Sequence, residues 1–120
     1  MEIPNRMRSI NVRMLIDNQP IVSIIDYMIN DEGVTPVAIW VKTKKSESTL
    51  DRELRSSGKA VSLLLQFGCS LKEISETFTR DSYIGSAVWY VYKNLEDIIA
   101  GNQPDKLPNL STQPQGYTIK

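Results

Sequence analysis

MRSINVRMLIDNQPIVSIID, residues 7–26, alternates on either side of one break, and that pattern makes it a hairpin. Ile10, Val12, Met14 and Ile16 fall on one side of the first half, with Ser9, Asn11 and Arg13 on the other. A repeat of two belongs to a strand, whose side chains point alternately to opposite faces. Asp17, Asn18, Gln19 and Pro20 form the break. Short Asp and Asn side chains bond the local backbone, and Pro has no N–H to give a central ladder. A second strand follows over residues 21–28. Asn30-Asp31-Glu32-Gly33 makes the next turn, and residues 36–43 put Val37, Ile39 and Val41 on one face with Ala38, Trp40 and Lys42 on the other. The prediction is a three-stranded antiparallel meander.

Beyond Lys45 the period lengthens. Leu50, Leu54, Val61, Leu64 and Leu65 recur at helical spacing, Ser48 and Asp51 supply an N-terminal cap, and Gly68 an end, which predicts a helix over residues 49–67. Ser70 and Glu73 repeat the capping pattern and open a short helix reaching residue 78. A third helix begins after Arg80, carries its core stripe on Ile84, Val88, Val91, Leu95, Ile98 and Ile99, and stops at Gly101. Gly85, Trp89 and Tyr92 occupy a different side and are the expected oligomer contacts, since aromatic residues concentrate in the buried parts of interfaces. Gly58 costs about 1 kcal/mol relative to Ala in a helix interior. A close crossing with the other long helix accounts for it, and so does simple tolerance. The fold class expected is α+β: a single domain over residues 1–101 in which the meander packs with two long antiparallel helices plus a short connecting helix. Residues 102–120, with Pro104, Pro108 and Pro114 among many Asn, Gln, Ser and Thr, read as an extended or disordered arm.

Composition narrows the chemistry. The chain has 120 residues, 41% of them apolar, which suffices for one core. It contains no His, so it supplies neither a Ser-His-Asp or Cys-His nucleophile system nor imidazole metal ligands. The single Cys, Cys69, excludes an intramolecular disulfide and a thiolate-rich metal site, and points to a reducing compartment. It has no basic neighbour in sequence to activate it and is expected to be inert. No carboxylate cluster has metal-site spacing, and no glycine-rich phosphate loop is present. Lys+Arg and Asp+Glu each number 14, so nothing draws the chain in bulk to polymeric nucleic acid or to an acidic membrane. No apolar run approaches the ~20 residues that cross a bilayer, and residues 1–16 lack the signal-peptide pattern. A soluble cytoplasmic protein with no cofactor and no catalytic centre is expected.

Residues 46–78, SESTLDRELRSSGKAVSLLLQFGCSLKEISETF, resemble the TSCPD domain, the C-terminal accessory domain of cobalamin-dependent ribonucleotide reductases. The resemblance rests on Ser62-Leu63-Leu64-Leu65-Gln66-Phe67-Gly68 at the end of a long helix and on Leu71-Lys72-Glu73-Ile74 at the start of the next. The order of elements is that family's from about residue 11 to residue 95. Where the family carries the Cys-containing segment that names it, this chain reads Thr79-Arg80-Asp81-Ser82-Tyr83-Ile84-Gly85-Ser86, so no metal or redox role carries over. The reductase barrel, its thiols and its cobalamin domain are missing as well, so the chain is not that enzyme. An N-terminal antiparallel sheet followed by two long helices is also similar in architecture to the phage Thoeris anti-defence proteins, oligomers that sequester cyclic ADP-ribose signals and, in some cases, cyclic oligonucleotides. That likeness is one of fold alone. It implies a non-enzymatic phage protein in the cytoplasm of an infected bacterium. Such a protein would form a homo-oligomer, a dimer or a multiple of dimers, and withdraw a nucleotide-derived signalling molecule. The reductase resemblance implies instead an interaction module docking on a host or phage enzyme such as a ribonucleotide reductase, with Trp89 and Tyr92 as its apolar patch.

Several residues suit a nucleotide-derived ligand. Arg80 offers forked donors for phosphate, Phe78 or Tyr83 a ring for a base, and Ser82 a further donor, all beside a helix N-terminus whose free N–H groups favour anions. The same loop has a purely architectural reading, with Asp81 or Ser82 as the helix cap and Phe78 in the core. Arg52, Arg55 and Lys59 share one side of the first long helix, either as a phosphate-binding surface or as a solvated face on which Asp51 pairs with Arg55. Arg6, Arg8 and Arg13 form a second basic element, with Arg13 as the expected second phosphate partner. Trp40 packs under a helix, sits in an interface or stacks on a base.

Overall fold

The computed structural model describes residues 6–44 and 48–112. The chain runs β1 (Arg6–Ile16), β2 (Gln19–Asn30), β3 (Gly33–Thr43), α1 (Thr49–Gln66), α2 (Leu71–Thr77), α3 (Tyr83–Ile99) and β4 (Asn109–Leu110). It is an α+β fold, a strand meander covered on one face by helices. Only two residues, Asp17 and Asn18, link β1 to β2, with φ of 49° and 67°. Positive φ at both central positions is what a type I′ hairpin demands, and Asp and Asn adopt it more readily than most residues.

The sheet has the order β3-β2-β1-β4 and is mixed, which corrects the expectation of three antiparallel strands. Part of the predicted C-terminal arm supplies the fourth strand. β4 lies parallel to β1, with Leu15 opposite Asn109 and Ile16 opposite Leu110. The N–H groups of Leu15 and Asp17 donate to the carbonyls of Pro108 and Leu110, each at 2.8 Å. A strand of two residues shows no alternation, so nothing in Leu-Pro-Asn-Leu announced it. Tyr117 and the rest of residues 113–120 lie outside the described residues.

β3 begins at Gly33, earlier than the sequence suggested, because a bulge resets its register. Asp26 faces Ala38 while Tyr27 faces Pro36, leaving Val37 as the extra residue. The bulge falls on an edge strand, where a proline without an N–H is tolerated. The inner face of the sheet presents Val12, Met14, Ile16, Ile21, Ile25, Tyr27, Ile39 and Val41. These join Leu54, Val61, Ile74, Ile84, Val88, Val91 and Ile98 from the helices in one core.

Helix α1 seals the outer edge of β3. The Ser62 hydroxyl accepts from Ile39 N–H and donates to Ile39 C=O, both at 2.9 Å. Buried Asp51 accepts from Thr43 N–H at 2.8 Å and from the Thr43 hydroxyl. Edge groups that would otherwise template another strand are thus occupied. Gly58 sits between these two anchors, where a Cβ would come within 3.2 Å of Ile39 O and Val41 N. The close crossing at Gly58 is therefore with strand β3 and not with the other long helix.

The two long helices are not antiparallel. Their starts, at Ser48–Leu50 and Tyr83, border one cleft, and the segments 70–72 and 92–97 border another with Pro36. α1 and α3 therefore run in the same sense, and α2 is the return leg. α3 also bends at Asn94, whose φ of −122° leaves the helix while its side-chain amide donates to Tyr90 C=O at 2.9 Å. Among the described residues no helix is long and apolar enough to cross a membrane.

Candidate functional site

The end of the sheet where β1 turns into β2 meets the starts of α1 and α3. Gln19, Pro20, Thr43, Lys44, Ser48, Leu50 and Tyr83 line a cleft of about 560 Å³ there. Each lining residue is placed by a feature of the fold: the tight turn delivers Gln19 and Pro20, and the end of β3 delivers Lys44. Ser48 is the N-cap of α1, its hydroxyl accepting from Asp51 N–H at 3.0 Å. Tyr83 opens α3 immediately after the N-cap Ser82. Burial first, then the nearby Asp17 carboxylate, pushes the Tyr83 hydroxyl above its ordinary pKa, so at neutral pH it remains a proton donor.

A second hollow of about 450 Å³ adjoins the first, sharing Pro20 and Lys44, and carries Arg13, Leu15, Val22 and Leu107. The two hollows together present Lys44 and Arg13 as cations, Tyr83 as an aromatic donor and Gln19 as an amide, on walls that are largely apolar. This is the balance small-molecule sites show: apolar walls with a few placed polar groups.

Of the residues named from the sequence, Tyr83 and Arg13 come to these adjoining hollows. The others have separate occupations. Arg80 lies over the Trp89 ring, its Cζ 3.8 Å from the centroid, an arrangement in which the negative face of the indole attracts a cation. Ser82 accepts from Gly85 N–H at 3.0 Å and donates to Thr79 C=O at 2.9 Å, so the start of α3 is capped by its own loop. Phe78 packs against the core. Arg55 pairs with Asp51 at 2.7 Å, in keeping with the solvated-face reading, and Arg52 is exposed on the same helix. Trp40 lies on the sheet face away from the helices, its indole N–H donating to Asp26 at 2.9 Å.

Gly85, expected at an oligomer contact, is buried within the chain, and a Cβ there would stand 1.8 Å from the Thr79 carbonyl oxygen. Trp89 and Tyr92 are partly buried against the core, with Lys93 over the Tyr92 ring at 5.7 Å. Sequence reasoning passed over Lys44 and Gln19. Their signal was a cation four residues before the Ser48 cap and a polar residue directly after a two-residue turn.

Among the described residues no group of three or more His, Cys, Asp or Glu side chains is placed to hold a metal ion. No family model matches the chain, and no curated protein or solved structure matches it either.

Proposed function

We propose that this protein binds a nucleotide-derived immune signal, of the cyclic ADP-ribose or cyclic oligonucleotide type, and withdraws it from its receptor without cleaving it. The observation that carries the reading is the cleft at the shared start of α1 and α3, where the Tyr83 ring and hydroxyl stand with Lys44 and Gln19 and adjoin the Arg13 hollow. Its size falls in the range of small-molecule pockets, roughly 300–1,000 Å³. A base fits an aromatic wall, and phosphate fits Lys and Arg. The lining supplies cations, an aromatic ring and an amide but no His, Cys or carboxylate, and the Ser48 hydroxyl accepts a hydrogen bond as the cap of α1. The phage setting rests on the architectural likeness to signal-sequestering proteins.

Native mass spectrometry with cyclic ADP-ribose isomers and cyclic oligonucleotides tests this. The expected result is a whole-number complement of one compound, recovered chemically intact after denaturation. Lys44→Ala and Tyr83→Ala should lose at least tenfold in affinity, whereas Arg80→Ala, whose guanidinium rests on Trp89, should bind normally. Failure of the whole panel to bind would overturn the proposal.

One observation favours a second reading, a docking module for a larger enzyme. Leu63 on the last turn of α1 and Phe67, its C-cap, are 55% and 81% exposed, an apolar pair at the end of the helix. Under that reading Phe67→Ser abolishes capture of the enzyme and Lys44→Ala leaves it intact.

A further inference from the structure

Helix α1 lies along β3, α3 packs on β1 and α2 packs against α3, all on the side of the sheet that holds the core, so among the described residues no element covers the other face. Its residues follow from the register. Across the strands the rows are Arg13–Val22–Lys42, Asn11–Ile24–Trp40, Ser9–Asp26–Ala38 and Met7–Met28–Thr35. The middle of this face is apolar for a surface: Val22, Ile24 and Met28 are only partly covered, Trp40 is 39% exposed and Met7 56%. The polar groups at its centre are already matched, Asp26 receiving Ser9 Oγ on one carboxylate oxygen and Trp40 Nε1 on the other.

The two ends of the face carry opposite charge. Exposed Arg13 and Lys42 share the row at one end, with Lys44 just beyond. The β2–β3 turn at the other end holds exposed Asp31 and Glu32. None of these five charged side chains belongs to the one ion pair found among the described residues, Arg55–Asp51. The basic end also contains the hollow of about 450 Å³ between Arg13, Val22, Lys44 and Leu107.

We infer that a second copy of this chain covers this face, related by a two-fold axis through its apolar middle. The axis reverses the strand direction of one copy against the other. It sets Ile24, Met28 and Trp40 against the partner's apolar rows and brings each acidic β2–β3 turn to the partner's basic hollow. A two-fold contact must be self-complementary, each patch meeting its counterpart twice. An apolar centre flanked by one basic and one acidic end meets that condition. The contact lies on the sheet, away from Trp89 and Tyr92; it uses the Arg13 hollow that adjoins the Tyr83 cleft and shares Lys44 with it, and the dimer is read in the absence of any ligand.

Charge reversal tests this with the full chain. Sedimentation velocity should show the native protein as a dimer at tens-of-micromolar concentration, weakening as salt is raised because the end contacts are screened. Arg13→Glu with Lys42→Glu makes both ends acidic, and Asp31→Lys with Glu32→Lys makes both basic. Each double variant should sediment as a monomer, with an unchanged circular dichroism spectrum because all four positions are exposed. Mixing the two should restore a one-to-one heterodimer by native mass spectrometry, since every junction is then attractive. A native chain that stays monomeric, as it would if the face belonged to a different protein, overturns the inference. So do double variants that dimerise as well as the native chain, or a mixture that forms no heterodimer.

Discussion

Gly85 leaves no room for a methyl group. The loop between α2 and α3 folds back so that the Thr79 carbonyl lies over the first turn of α3, and a Cβ at position 85 would meet that oxygen at 1.8 Å. The partner atom is backbone, tied in place because Ser82 both donates to the same carbonyl and caps the helix. Gly85→Ala is therefore expected to cost about 3 kcal/mol or more, in the upper range for overpacking. Gly58→Ala is the internal comparison. Its Cβ would approach strand backbone at 3.2 Å, a few tenths of an ångström too close, while gaining about 1 kcal/mol of helix propensity. Urea unfolding should show a large fall in midpoint for the first variant, a small change for the second, and the same slope for both. Comparable midpoints would mean that the loop yields where the geometry says it cannot.

The elements were legible wherever a period or a cap wrote them. Alternation from Ile10 to Ile16 marked β1, Ser48 with Asp51 marked the start of α1, and Ser70 with Glu73 formed the full reciprocal capping box. What escaped was set by partners distant in sequence. Ser62 reads as one more polar helix residue until strand β3 is placed beside it, and β4 exists only because β1 offers an edge. That short strand is also clamped by charge. Asp17 accepts from the side chain and then the backbone N–H of Thr112, and these bonds hold its carboxyl below the ordinary aspartate pKa. A carboxylate with a lowered folded pKa stabilises the fold above its unfolded value, and that contribution is lost as the pH falls through the folded one. Acidification should therefore loosen β4 first. In an NMR titration the Asp17 carboxyl should titrate below the usual aspartate range, with the Thr112 amide losing its dispersed shift in step. Thr112→Val removes the side-chain donor and should move that midpoint back up. An unchanged midpoint would exclude the clamp.

At the scale of the whole molecule, the direction of α3 could not be read from the chain. Two long helices joined by a short connector suggest an antiparallel pair, but residues 67–82, α2 with the loops on either side of it, bring the chain back before α3 starts. That return places Tyr83 beside Ser48 and Lys44 and makes the cleft; of the lining of the candidate site, the sequence singled out Tyr83 and Arg13 but not how they assemble. Arg80, the residue the sequence favoured, is drawn instead to Trp89, nine positions on along the chain. The proposed function sets these residues apart. A ligand that binds only the folded protein stabilises it by about 2.7 kcal/mol at a hundred times its dissociation constant, which raises the melting temperature by roughly 10 °C. The native chain and Arg80→Ala should show the same rise with the active compound, and Lys44→Ala should show almost none. Time separates holding from turnover. A sequestered ligand keeps the melting temperature raised through hours of incubation, whereas a ligand being consumed lets it drift back to that of the free protein. A drift in the native chain, with the compound recovered altered by mass spectrometry and left unaltered by Lys44→Ala, would show that the cleft does chemistry on what it holds.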